Sequence, residues 1–188
     1  MVKKIVLLLI LLNFIPIKSV LATAIEKTVS GILTVQVTTI VNELEEKTFP
    51  IKNSRVIVIN SLGKIIATSL TDSKGEVNIP VTVLRDNRFP MKNMGEVTVI
   101  SVAEGYNEYI NFSVPINEYF DKKGRVSMSL WKIDPNRRNE PLFSNGDFHR
   151  FTVFEILDYY AKELGLKRQK VNDPSIAPAP WGPQLVIN

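Results

Sequence analysis

The chain has no cysteine and only one histidine in 188 residues, and each shortage removes a class of chemistry. Without thiols there is no disulfide, no thiolate zinc site, no cysteine nucleophile and no lipoprotein-type anchor, so stability has to come from a buried core. His149, the one histidine, offers a single imidazole where a histidine metal site usually needs several, and a hydrolase also needs a nucleophile beside its base. It lies among turn formers, so a place on the surface or at a helix entry is expected. No metal site, cofactor or enzymatic activity is expected. Runs of lysine or arginine are missing as well, which removes the usual footprint of a nucleic-acid or anionic-membrane binder.

Long apolar runs are confined to the first 24 residues. Lys3 and Lys4 precede the unbroken apolar run Ile5 to Leu12, and small residues follow at Ala22 and Ala24. That order is the pattern of a secretory signal peptide over 1–24, with cleavage expected after Ala22 or Ala24. The run is shorter than the roughly 20 residues a bilayer span needs, and Pro16 and Lys18 interrupt its far side. Membrane contact is therefore expected only during export or through an uncleaved signal. Its removal takes Lys3, Lys4 and Lys18 away, lowering the basic count from 23 to 20 against 19 acids. The mature chain is near neutral, and a place outside the cell or in the bacterial cell envelope is expected.

From residue 25 onward apolar residues recur with a period of two. Val29, Leu33, Val35, Val37 and Val41 share one parity, with Ser30, Thr34, Gln36 and Thr38 between them. The same alternation holds for Val77, Ile79, Val81 and Val83, for Ile110, Phe112, Val114 and Ile116, and for Val126, Met128 and Leu130. These are strands with one buried face. "RVIVIN" (55–60), "KIIATSL" (64–70) and "EVTVISVA" (96–103) are more continuously apolar, as expected of central strands covered on both faces. About seven strands separated by glycine-containing turns predict an all-β antiparallel sandwich over 25–133. Pro80 and Pro115, on the polar parity, predict edge strands or bulges.

The densest cluster of reactive-looking groups is "TDSKGEV", Thr71 to Val77. It falls between two strands: Asp72 and Ser73 can bond their own backbone, Gly75 can take a positive φ, and Lys74 occupies a slot that a calcium loop would need for oxygen. A hairpin turn is predicted, not a site. This threonine-acidic-x-x-glycine element, "AEGY" (103–106) and the closing "VSMSLWKI" resemble, in that order, the carboxypeptidase regulatory-like or prealbumin-like family over roughly 28–133. The resemblance implies a seven-stranded prealbumin-like (Ig-like) sandwich and an accessory or adhesive module with no activity of its own. The hydrolase branch of that fold uses paired histidines and a C-terminal tyrosine-arginine-glycine-serine motif, both missing here. The lysine-asparagine isopeptide bond of related pilus modules has neither a lysine in Val29 to Val41 nor an acceptor in Val126 to Ile133.

After Ile133 the composition changes. Residues 134–150 read as a linker, 151–165 as an amphipathic helix and 166–188 as a proline-rich, extended or disordered tail. Thr152 and Glu155 fit a capping box and Gly165 the residue just past the helix end. Phe151, Phe154, Leu157, Ala161 and Leu164 form the predicted apolar stripe. Trp131 and Tyr109 lie on polar parities of their strands and together predict an outward aromatic patch. Either the helix docks there, or Trp131 anchors a sugar ring or peptide with Tyr109 beside it. The loop 85–95 carries Arg85, Arg88 and Lys92 as candidates for an acidic group, and Trp181 is a motif residue or an idle one. A secreted binding module for protein or carbohydrate is the expected role. The alternative is a structural subunit of a surface assembly that packs on another chain through the helix.

Overall fold

The computed structural model describes residues 27–42, 47–86, 91–117, 123–144, 150–172 and 179–186. The expected signal segment, Arg88 and His149 lie outside the described residues. No helix among the described residues is long and apolar enough to cross a membrane.

Two sheets stack face to face. In the first, β1 (Thr28–Asn42) is central. One of its edges is shared end to end by β5 (Glu76–Leu84), antiparallel along Thr28 to Gln36, and β2 (Lys47–Pro50), which takes over from Thr38. Its other edge pairs in parallel with β8 (Lys123–Leu130), Ile32 opposite Lys123 through Thr39 opposite Leu130. The second sheet has the order β4 (Ile65–Leu70), β3 (Arg55–Asn60), β6 (Met94–Val102), β7 (Tyr109–Asn117), β9 (Leu142–Ser144).

Described residues 28–130 thus hold eight strands, not seven, the addition being the four-residue β2. The sandwich is also not purely antiparallel, since β1 with β8 and β7 with β9 run parallel. Parallel neighbours need a long connection, and the rest of the sandwich supplies one between β1 and β8. The inward positions of those two strands are Val29, Leu33, Val35 and Val37 against Val126, Met128 and Leu130. A lysine-asparagine cross-link therefore has no place there.

The core between the sheets also takes Val56 and Val58 from β3, Ile79, Val81 and Val83 from β5, Val97 and Val99 from β6, and Val114 and Ile116 from β7. A second core lies on the opposite face of the five-stranded sheet. Ile57, Ile59, Ile100, Val102, Ile110 and Phe112 meet Val153, Leu157, Tyr160 and Ala161 of the helix α1 (Arg150–Glu163), with Leu166 and Trp181. Strands β3 and β6 are covered on both faces, as their continuous apolar runs predict.

In β7 the single parity expected for residues 110–116 does not hold. Ile110 and Phe112 face the helix, whereas Val114 and Ile116 face the other sheet. The β6–β7 register shifts between Val97 and Val99, and Ser113 there has φ 53°. One extra residue in a strand is a bulge, and it turns every later side chain to the opposite face. Pro80 lies in β5, which pairs only with β1, and Pro115 lies in β7 beyond the reach of β9, so both occupy backbone with an unpaired side.

Two stretches expected outside the folded body join it. Within 134–150, Leu142 to Ser144 add β9 to the second sheet. Within the tail, β11 (Trp181–Leu185) pairs antiparallel with β10 (Leu166–Arg168) and buries Trp181. Burying an indole removes apolar area from water and so offsets part of the cost of ordering a short strand.

Candidate functional site

The turn Thr71 to Val77 is structural in every detail. Thr71 is buried; its hydroxyl donates to the Ile51 oxygen at 2.6 Å and accepts from Ser54 N at 2.9 Å. Asp72 accepts the backbone N–H groups of Lys74 and Glu76 at 2.8 and 2.9 Å, bonds that hold its carboxyl below the usual carboxylate range. Gly75 has φ 71°, and a Cβ there would lie 2.4 Å from the Val37 oxygen. The positive φ and this close approach require glycine, and the turn is not the predicted hairpin, because it carries the chain from β4 of one sheet to β5 of the other.

Glu108, which no sequence signal marked, is the buried carboxyl group of the molecule's described part most displaced from its ordinary behaviour. Burial raises its pKa from 4.5 to about 7, although the Trp181 N–H bond works against that rise. It belongs to a clasp that fastens the C-terminal ribbon to the β6–β7 turn. Trp181 donates its backbone N–H to Glu108 and its indole N–H to Asp158 Oδ1, the latter at 2.9 Å. Arg168 pairs with Asp158 at 2.6 Å and lies 3.9 Å over the Trp181 ring. The Gln169 amide nitrogen lies 2.8 to 2.9 Å from the carbonyl oxygens of Ala103, Tyr106 and Trp181. Glu108, Gln169 and Trp181 are buried, the Asp158–Arg168 pair is about one-third exposed, and the groups satisfy one another, which is the chemistry of a fastening.

The predicted candidates separate. Trp131 is 38% exposed, and Arg137 stacks on its ring at 4.7 Å. Tyr109 packs against the core between the sheets, so the expected outward patch of the two is not formed. The physical reason is again the bulge, which puts Tyr109 on the inward side together with Val114 and Ile116. In the loop 85–95, Arg85 turns back to donate to the Lys92 oxygen at 3.3 Å, and the Lys92 side chain is exposed.

The helix docks on its own sheet, away from Trp131. Its buried stripe is Val153, Leu157, Tyr160 and Ala161, with Leu164 half-buried at the edge. Phe154 is only half-buried, and the Phe151 side chain lies outside what is described. The stripe is rotated by about one residue from the predicted one, because the sheet accepts the small Ala161 beside Tyr160, whose hydroxyl donates to the Gly63 oxygen. The helix starts at Arg150, which places Thr152 inside the first turn instead of at the cap. Gly165, at φ 67°, ends it as predicted.

Glu76 opens β5 and Asp86 lies just past its other end, roughly 30 Å away at 3.3 Å per residue, so these two acids do not converge. Among the described residues no three acidic or histidine side chains gather as metal ligands do.

Among the described residues, one broad face has no cover. On the outer side of the first sheet, Ser30 meets Thr82 at 2.9 Å, Thr34 donates to Asn78 at 2.6 Å, and Thr38 meets Ser129 at 3.1 Å. At the end nearer β2 this face deepens into a groove of about 600 Å³ lined by Gln36, Thr38, Thr48, Lys74, Ser127 and Ser129. Gln36 is held by its bond to the Lys74 oxygen at 2.7 Å. The groove is neutral except for Lys74, whereas Arg125 and Glu76 stand elsewhere on the face; its groups both donate and accept and are fixed in place by cross-strand bonds. The outward parity of β1 was legible; that β8 and β5 bring Ser129, Asn78 and Thr82 beside it depends on pairing.

No family model matches the chain, and no curated protein does. Among solved structures it is similar to the TIE protein of Bacillus anthracis, with a TM-score of 0.41 and 19% identity over 56% of this chain and 18% of that one. It is also similar to the shaft pilin SpaA of Lactobacillus rhamnosus GG, with a TM-score of 0.35 and 13% identity over 57% of this chain and 52% of that one. The chain spans about a fifth and about half of the lengths of these two structures.

Proposed function

We propose that the chain is an exported, non-catalytic sandwich module of the cell envelope or extracellular space, related to the prealbumin-like domains, that binds carbohydrate along the outer face of its first sheet. The observation that carries this reading is the hydroxyl and amide groove at Gln36, Thr38, Thr48, Ser127 and Ser129, uncharged apart from Lys74. A sugar polymer offers hydroxyls of the same kind, and a preorganised array of matching groups loses little entropy on binding them. The signal-like 1–24 segment supports export. The sealing of Glu108 beneath Trp181 supports a role without catalysis.

With the apolar stripe of α1 buried on its own sheet, a subunit role in an assembly needs another surface. The test is a glycan array of bacterial and host polysaccharides probed with the mature chain and with the double variant Thr38→Val, Ser129→Ala. Retention on at least one neutral glycan, weakened about tenfold by the variant, is expected for two lost hydrogen bonds. Absence of retention across the array, or equal retention by the variant, overturns the carbohydrate reading in favour of a protein partner.

A further inference from the structure

Among the described residues, the strand edges of this sandwich are blunted, with one exception. β5 has Pro80 at its middle, β2 carries Lys47 and Pro50, and β9 has only three residues. β8 runs so close to β7 that a Cβ on Gly124 would lie 3.0 Å from the Pro115 oxygen. The chain beyond it is bonded by Asn107 N to Trp131 O at 2.8 Å and by Ile133 N to Gly105 O at 2.9 Å. These are the usual protections of an edge. β4, at the end of the five-stranded order, has no charge and no proline from Ile65 to Leu70, and a register shift interrupts it only near Ile65.

The Thr71 N–H bonds to the Ser54 oxygen, so the alternation of an antiparallel ladder turns the N–H and C=O groups of Thr68 and Leu70 away from β3. Both residues are exposed, and among the described residues no backbone group pairs with that side of β4.

The open edge runs into a cleft. Leu70 is also part of the wall of a depression of about 630 Å³, whose apolar surface includes Pro50, Tyr106 and Pro183. Lys52 and Arg55 face it, with Glu104 as its acid. Arg55 ties edge and cleft together: its Nε donates to the Pro183 oxygen at 2.8 Å, and its Nη1 lies 3.4 Å from Thr68 Oγ1. A guanidinium has five N–H donors, so these contacts leave others for a ligand.

We propose that the outer edge of β4 and this cleft form one docking site for an extended peptide segment of a partner protein. The peptide pairs as an added strand with Thr68 and Leu70, and a carboxylate beyond Leu70 enters the cleft beside Lys52 and Arg55. Main-chain bonds supply affinity in such strand addition, and the cleft supplies selectivity. Two cations against one acid make a carboxylate the complementary charge. The cleft adjoins the hydroxyl groove at Pro50, which lines both, but their polar groups are different residues, so either can fail without the other.

The test uses the ¹⁵N-labelled mature chain and a synthetic peptide, acetyl-Thr-Val-Thr-Val-Thr-Glu-amide. Controls replace its second valine by proline or its glutamate by lysine. On strand addition the Thr68 and Leu70 amides should shift and exchange about tenfold more slowly, with the proline peptide inactive. Reversing the peptide charge, or the variant Lys52→Glu, should weaken binding roughly threefold or more for a partly exposed ion pair. Unchanged Thr68 and Leu70 amides at millimolar peptide overturn the proposal, as does equal binding of the proline control. Protection that rises with protein concentration in the absence of peptide overturns it too, assigning the edge to a second copy of the chain.

Discussion

The two outward faces of this sandwich begin from similar strands and end in opposite fates. On the first sheet, β1 alternates, so its outer side is Ser30, Thr34, Gln36 and Thr38, interrupted by the 42% exposed Ile32, and among the described residues nothing covers it. On the second, β3 and β6 are apolar at successive positions, so Ile57, Ile59, Ile100 and Val102 emerge opposite the sandwich core and need a cover. The helix and the C-terminal ribbon provide that cover. The continuous apolar strands, not the helix, therefore demand the appended segment: an uncovered face of that size would bind other surfaces.

The comparison breaks most visibly at Leu157, buried at the centre of the covered face. Leu157→Ala is expected to cost about 2–5 kcal/mol by chemical denaturation, the range for a large-to-small change in a packed core. A cost below about 0.5 kcal/mol, the level of surface substitutions, would mean that the helix is not docked as described.

Next in size is the pH response of the clasp. In the folded chain the Glu108 carboxyl keeps its proton up to about pH 7, whereas an unfolded glutamate loses it near 4.5. The folded state therefore binds more protons between these values, and stability falls as pH rises through that window. The Glu108 contribution is fully present below pH 4.5 and gone above about pH 7. The difference amounts to roughly 3 kcal/mol. Asp158 and Arg168, the charged groups facing it from α1 and β10, act in opposite directions. Glu108→Gln keeps an oxygen for the Trp181 N–H but cannot ionise. Melting temperatures of the two proteins from pH 4.5 to 8 should diverge in favour of the variant as pH rises, and parallel curves would refute the assignment.

The smallest effect is expected on the open face. Thr34→Val removes the bond to Asn78 where water can replace it, so a change within about 1 kcal/mol is expected. A loss greater than about 2 kcal/mol would show that this face is covered in the intact protein, since only buried groups leave such deficits.

Much of the local structure was legible before the fold. The turn at Asp72 to Gly75, the end of the helix at Gly165 and the strands of period two rest on chemistry among residues a few positions apart. The hydroxyl parity of β1 was legible for the same reason. The candidate site as a whole was not, because its other half arrives on β8 and β5, about 90 and 45 residues away along the chain.

Legible in the sequence alone were an apolar, lysine-flanked first segment, β-branched strands without cysteine, and a helical pattern followed by a proline-rich stretch. Only the tertiary structure decided how these parts face one another. A single extra residue at Ser113 divides β7 between two cores and turns Tyr109 inward, away from Trp131. The sheet, not the helix's own pattern, selects which stripe of α1 is buried, and a clasp built on Glu108 and Gln169 draws Trp181 into the core. Local propensity acts over a few residues, whereas register, face and burial are set by contacts between strands far apart in the chain.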